Sequence, residues 1–198
     1  KLALRNSFLV VSGGPGTGKT HTVKKIMEVY SRIKDETYNI ALAAPTGKAA
    51  QRLSQAINNN SGHHQNIKAQ TIHSLLQAKG TAGNFTKNAR NKLKVDLLIV
   101  DEASMLDLQL WVALIRALPE KARLIVLGDR HQLASVEAGS ILGDICGISQ
   151  NNFSEKLLRE INEPMIIESK APARDFVITL SKSYRFSKDS GIELLANA

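Results

Sequence analysis

The run Gly13-Gly14-Pro15-Gly16-Thr17-Gly18-Lys19-Thr20 has the spacing G-x-x-x-x-G-K-[ST], and each residue type in it suits the binding of a phosphate chain. Glycines let successive backbone N–H groups converge on phosphate oxygens. A helix that starts there adds positive potential. Lys19 is placed to reach the β- and γ-phosphates of ATP, and Thr20 offers its hydroxyl to Mg²⁺. By average composition, a chance match in a chain of this length is on the order of 1%. The alternative is an ordinary glycine-rich turn. A second group is Asp101-Glu102, two acids that end the apolar run Leu97-Leu98-Ile99-Val100. At the carboxyl end of a buried strand, Asp101 would hold Mg²⁺ through water. Glu102 would orient and polarise the attacking water as a general base. The competing role for Glu102 is a plain helix cap, since one Asp suffices for the metal. The third group is Leu127-Gly128-Asp129-Arg130-His131-Gln132. Here Gln132 could reach the γ-phosphate and report its loss, or lie in water; spacing alone leaves both open.

These groups need rigid elements behind them, and the sequence supplies a regular alternation. Phe8 to Val11 is a buried-strand type of run that enters the glycine cluster, and Lys19 to Ser31 follows with apolar residues at helical spacing. Ile40 to Ala43 reads as a strand, turned by Pro45-Thr46-Gly47 into a helix over Lys48 to Asn58. Val95 to Val100 is the strongest strand, and Leu106 to Leu118 is a helix stopped by Pro119. Arg123 to Leu127 is a further strand, Gly139 to Ile148 a helix, Phe176 to Leu180 a late strand and Ile192 to Ala198 the start of a helix. Continuous apolar strands alternating with helices predict an α/β fold: a mostly parallel sheet with helices on both faces. Asn58 to Gln70 and Lys79 to Lys94 read as irregular. Residues 150–175, charged and carrying Pro164 and Pro172, read as an insertion or a mobile connection.

Composition sets the class. The 198 residues fit one domain, 43% of them are hydrophobic, and no apolar run approaches a membrane span. The lone Cys146 excludes an internal disulfide and a cysteine-rich zinc site, and it points to a reducing compartment. No signal peptide is legible, so the expected location is cytoplasmic. The net charge of +8 is unevenly spread: residues 1–100 hold 15 basic and 4 acidic side chains, and residues 101–198 hold 11 and 14. A basic half fits a polyanionic partner such as nucleic acid, or simply a solvated basic face.

Six blocks stand in order: Gly13 to Thr20, Ala44 to Ala50 (APTGKAA), Gln70 to Leu76 (QTIHSLL), Ile99 to Leu106 (IVDEASML), Leu127 to Ser140 (LGDRHQLASVEAGS) and Leu180 to Phe186 (LSKSYRF). With them the chain resembles the first motor domain of a superfamily 1 helicase, of the RecD branch, over nearly its whole length. DEASM together with GDRHQLASVEAGS is the distinctive part. The resemblance implies a RecA-like P-loop NTPase fold and an ATP-driven translocase on single-stranded DNA, moving 5′→3′. It implies Gln132 as a γ-phosphate contact coupled to DNA, and Arg185 as a charge-stabilising arginine on the transferring phosphoryl group. It also implies DNA contacts at Pro45, Thr46, Gly47 and Lys48, and at Thr71 and His73. Short hydroxyls, backbone N–H groups and a lysine at a helix start can track phosphates without reading sequence. RecB and RecC subunits, as in exodeoxyribonuclease V of DNA recombination and repair, are the implied partners. A second motor domain carrying another arginine is implied beyond Ala198. The adenine-contacting glutamine of the family is not among Lys1 to Ser7. The chain by itself is therefore expected to bind nucleotide weakly and hydrolyse it slowly.

Other readings stay open at this point. The chain could be a small-molecule kinase, although no arginine-rich lid is evident, or a non-catalytic module whose binding surface is gated by nucleotide. Arg185 alone reads as a surface ion-pair partner and His73 alone as a core histidine. His63 and His64 read as loop residues, His21 as a bystander after the phosphate loop, and Trp111 as core on the apolar face of its helix.

Overall fold

The computed structural model describes residues 1–33, 38–58, 67–80, 84–132, 141–147, 151–161 and 175–184. Six strands form one sheet: β1 (Phe8–Gly13), β2 (Ile40–Ala44), β3 (Gln70–Thr71), β6 (Leu97–Val100), β7 (Arg123–Gly128) and β8 (Val177–Leu180). Two short strands, β4 (Ala78–Lys79) and β5 (Asn84–Phe85), make a separate antiparallel pair. The large sheet runs in the order β3-β2-β6-β7-β1-β8, and every neighbouring pair in it is parallel. All six strands therefore end at the same edge. Gly13 lies opposite Leu180, Ser12 opposite Gly128, Val100 opposite Ala43 and Ala44 opposite Thr71.

Burial on both faces follows from the two-residue period of the strands. Leu9, Val11, Leu42, Leu97, Ile99, Ile125 and Leu127 point to one side, under α1 (Leu2–Arg5), α2 (Lys19–Ile33), α3 (Gly47–Asn58) and α7 (Glu155–Ile161). Val10, Ala43, Leu98, Val100, Leu124 and Val126 point to the other side. There α4 (Ile72–Leu75), α5 (Leu108–Ala117) and α6 (Ile141–Cys146) cover them. The expected α/β architecture, a parallel sheet sheathed on both faces, is the one observed. Trp111 is only 3% exposed, in the core where its helical position puts it.

Several elements differ from the sequence reading at their ends or in kind. The strand expected from Val95 begins at Leu97; Asp96 precedes it, its carboxylate accepting from the Asn39 N–H at 2.8 Å and its carbonyl from the Arg123 N–H at 2.8 Å. The helix expected from Leu106 begins at Leu108. Asp107 caps it, accepting from the Leu110 N–H at 2.7 Å, and a 3₁₀ turn, Ala103–Met105, precedes it. The basic stretch Lys79 to Lys94 contains β5 and is then held by Asn88. The Asn88 side chain donates to the Phe85 carbonyl and accepts from the N–H groups of Arg90 and Asn91. Within 150–175, residues 151–161 and 175 are described. Leu157 of α7 is fully buried, and Ser154 binds both oxygens of Asp175 at 2.7 and 2.6 Å. His63, His64 and the helix expected at Ile192 to Ala198 lie outside the described residues.

Candidate functional site

The loop from Gly14 to Gly18 joins β1 to α2, and its shape depends on glycine at particular places. Gly16 and Gly18 have φ of 78° and 88°, a region that side chains with a Cβ rarely enter. Gly13 is required for a different reason. A Cβ there would lie 2.5 Å from Thr17 Oγ1 and 3.0 Å from the Leu180 carbonyl oxygen. Thr17 closes the loop on itself, its hydroxyl donating to the Gly14 carbonyl at 2.8 Å. Lys19 folds back onto the same loop, donating from Nζ to the carbonyls of Gly13 at 2.5 Å and Gly14 at 3.0 Å. A phosphate oxygen arriving here would take over an ammonium already aimed at the cradle. The Tyr184 N–H donates to the Gly16 carbonyl at 3.0 Å, so the segment after β8 is tied to the loop.

A cleft of about 760 Å³ opens over this loop. Gly16 to Thr20 line it on one side, Asp101, Glu102, Asp129 and Gln132 on another, and Arg52 of α3 on a third. The strand order explains the convergence. β7 lies between β1 and β6, so the phosphate loop, the acid pair and the Asp129–Gln132 turn leave three adjacent strand ends. Four candidates from different blocks (Lys19, Asp101, Glu102 and Gln132) thus meet in one space, with Thr20 beside them.

The acids are set differently. Asp101 Oδ1 accepts from the Glu102 N–H at 2.9 Å, which fixes its carboxylate. Glu102 is held at φ 52°, ψ 38°, a left-handed conformation that costs a residue with a side chain about 1–3 kcal/mol. It stands at the N-cap of the 3₁₀ turn, yet its side chain makes no capping hydrogen bond. Capping is therefore not what this carboxylate does, and its side chain lines the cleft. Burial pushes the pKa of both acids upward. For Asp101 the Glu102 N–H and Lys19 pull the other way. For Glu102 the charges of Asp101 and Asp129 add to the rise, while Lys19 and Arg52 oppose it. Beyond β7, Ser104 of the 3₁₀ turn donates to Gln132 Oε1 at 2.7 Å.

The other candidates lie at the same sheet edge but on different strands. Pro45 to Lys48 leave the end of β2, and Thr71 and His73 leave the end of β3. The two blocks are neighbours, with Ala44 opposite Thr71. Three strand spacings, about 14 Å in all, separate β2 from β1. Thr46 accepts from the Ala49 N–H at 3.2 Å, and Thr71 accepts from the Ser74 N–H at 3.1 Å. Each threonine thus caps a helix, and among the described residues its own hydroxyl proton has no acceptor. His73 is exposed rather than core, its ring 6.0 Å from that of Phe85. Arg185 lies outside the described residues.

Two residues at the cleft escaped the sequence reading. Arg52, one helical turn after Lys48, reaches the cleft with no ion-pair partner among the described residues. The i, i+4 spacing from the APTGKAA block could have flagged it. Tyr184, 74% exposed, borders this cleft and a second one lined by Gly18, His21, Thr22, Thr179 and Lys182. It sits in the SYRF block beside Arg185, and an exposed aromatic next to a phosphate loop was the available signal.

A family model described as an AAA domain matches residues 1–138. The RecBCD enzyme subunit RecD of Haemophilus influenzae is 40% identical over 212 residues, which take in 98% of this chain and 33% of that protein. An ATP-dependent RecD2 DNA helicase of Deinococcus radiodurans is 40% identical over 132 residues, 67% of this chain and 17% of that protein. Among solved structures, Bacteroides Pif1 bound to ssDNA superposes with a TM-score of 0.56 at 22% identity, covering 98% of this chain and 43% of that one. The likeness to Pif1 carries the fold. The chain spans about a third of the length of the RecD subunit it matches.

Proposed function

The chain belongs to the AAA-domain family, in its RecD group, and from that membership we propose that it is the first motor domain of an ATP-driven DNA translocase and helicase. The observation that carries this reading is the single cleft in which Lys19, Thr20, Asp101, Glu102 and Gln132 meet. In this reading Gly13 to Thr20 cradle the triphosphate and Lys19 moves from its loop carbonyls to the β- and γ-phosphates. Glu102, without a capping partner, orients the water that attacks the γ-phosphate and takes its proton. Its raised affinity for a proton suits a base, and burial is the largest cause of that rise. Gln132 meets the γ-phosphate and senses its loss. Arg185 completes the charge on the transferring group.

Mg²⁺ fits the donors present. Among the described residues the Thr20 hydroxyl has no hydrogen-bond partner, and the Asp101 carboxylate lies in the same cleft; hard oxygens of this kind share the ion with phosphate and water. When bound, it neutralises charge on the phosphate oxygens.

Single-stranded DNA would run along the β2 and β3 ends. It would meet Pro45, Thr46, Gly47 and Lys48 on one strand end and Thr71 and His73 on the next. The hydroxyl protons of Thr46 and Thr71, the α3 N-terminus and Lys48 are donors suited to a phosphate backbone. Movement 5′→3′, work with RecB and RecC subunits in DNA recombination and repair, and ATP-coupled closure against a second motor domain complete the proposal. The RecBCD naming of the relatives supports the partner assignment. No described helix is long and apolar enough to cross a membrane.

The test of the site is Glu102→Gln in the full-length protein. Nucleotide binding should persist within about twofold while hydrolysis falls by at least about 10²-fold, the scale of a lost general base. Hydrolysis at the unsubstituted rate would remove Glu102 from its role.

A further inference from the structure

Gln132 poses a problem of orientation. It is exposed, it lies four residues past the end of β7, and its backbone is held by a turn in which its N–H donates to the Asp129 carbonyl at 3.2 Å. A glutamine side chain so placed has many rotamers, and either end of its amide can face a ligand. One contact removes that freedom: the Ser104 hydroxyl donates to Oε1 at 2.7 Å. Ser104 is itself only 4% exposed. The 3₁₀ turn that carries it is seated against the end of β7. A Cβ on Gly128 would come within 3.2 Å of the Ser104 nitrogen and 3.5 Å of the Ala103 nitrogen.

The direction of this bond matters chemically. A serine hydroxyl has one proton, and here it goes to the amide oxygen. Gln132 then keeps its two Nε2 protons, and its side chain lines the cleft beside Lys19 and Glu102. Phosphate oxygens only accept, so the donor end of the amide is the end a terminal phosphate can use. Ser104 also stands two residues after Glu102 on the same turn. A shift of the segment that carries the base would carry Gln132 with it.

We propose that Ser104 is the positioning residue of this site: it holds Gln132 with the amide donor end toward the terminal phosphate and couples that contact to the Glu102 segment. The proposal rests on the reading of Gln132 as a γ-phosphate contact. The test is a double-mutant cycle of Ser104→Ala and Gln132→Ala in the full-length protein, with ATP hydrolysis followed in the presence of single-stranded DNA. Ser104→Ala should lower kcat about 3–10-fold, the scale of one lost hydrogen bond, with KM for ATP within about twofold. The double variant should be no slower than Gln132→Ala alone, because the two residues act as one unit. Ser104→Cys, nearly the same size but a weaker donor, should fall between serine and alanine; it also carries the test should the alanine variant fold poorly. Ser104→Ala at the unsubstituted rate, or losses that multiply in the double variant, would overturn the proposal. A normal rate for Gln132→Ala would instead overturn the reading of Gln132, and the role of Ser104 with it.

Discussion

At the scale of single residues, the site holds more negative charge than a folded domain would choose for stability. Asp101 and Glu102 are adjacent, half-buried and shifted toward the protonated form, with burial the largest cause for each. A carboxyl whose pKa is raised in the folded state stabilises the fold below the pKa of the unfolded chain, and that stability is lost as pH rises through the raised value. At neutral pH both acids therefore work against the nucleotide-free fold. Asp101→Asn and Glu102→Gln should each raise Tm at pH 7 by about 2–4 °C, the shift that about 1 kcal/mol gives in a domain of this size. The gain should vanish only near pH 3, below the pKa of the unfolded carboxylates, where both states are protonated. Thermal melts at the two pH values read this directly, and a fall in Tm at pH 7 for both variants would show that the acids are not a burden. The left-handed backbone of Glu102 points the same way: strain tolerated where a side chain must be aimed.

At the scale of elements, the phosphate loop separates two uses of glycine. Gly13→Ala puts a Cβ against Thr17 and the Leu180 backbone, whereas Gly14→Ala meets nothing within 4 Å. The first should cost roughly 1–3 kcal/mol, as overpacking does, and the second less than about 0.5 kcal/mol. Denaturant midpoints of the two variants decide it, and equal losses would refute the crowding at Gly13. Much of this level was legible in the sequence. The loop is local, its spacing carries its chemistry, and the apolar runs of β1, β6 and β7 announce a buried parallel sheet. What the sequence leaves hidden depends on strand order. Ser104 and Gln132 are 28 residues apart and meet because β6 and β7 are neighbours. Arg52 reaches the cleft because α3 packs beside α2. The 3₁₀ turn, β4 and β5 are too short to leave a periodic signal, and α7, in a charged stretch, is fixed by Leu157 and the Ser154–Asp175 bonds.

At the scale of the whole molecule, one sheet edge carries both candidate sites, with about 14 Å between the phosphate-loop strand and the strand that leads to Pro45–Lys48. α3 belongs to both: its first turn is part of the proposed DNA block, and Arg52, a turn later, lines the nucleotide cleft. A rigid element that touches both candidate sites is the simplest means, in the proposed motor, for nucleotide state to alter contact at the proposed DNA block. The excess of positive charge in the half of the sequence that holds both blocks agrees with a polyanionic track. The most direct measurement is ATP hydrolysis by the full-length protein with and without single-stranded DNA, with Lys19→Ala as the blank. The motor account predicts strong stimulation by DNA that disappears in the blank. Hydrolysis that depends on Lys19 but is indifferent to DNA would contradict it and leave a nucleotide-hydrolysing enzyme of another kind.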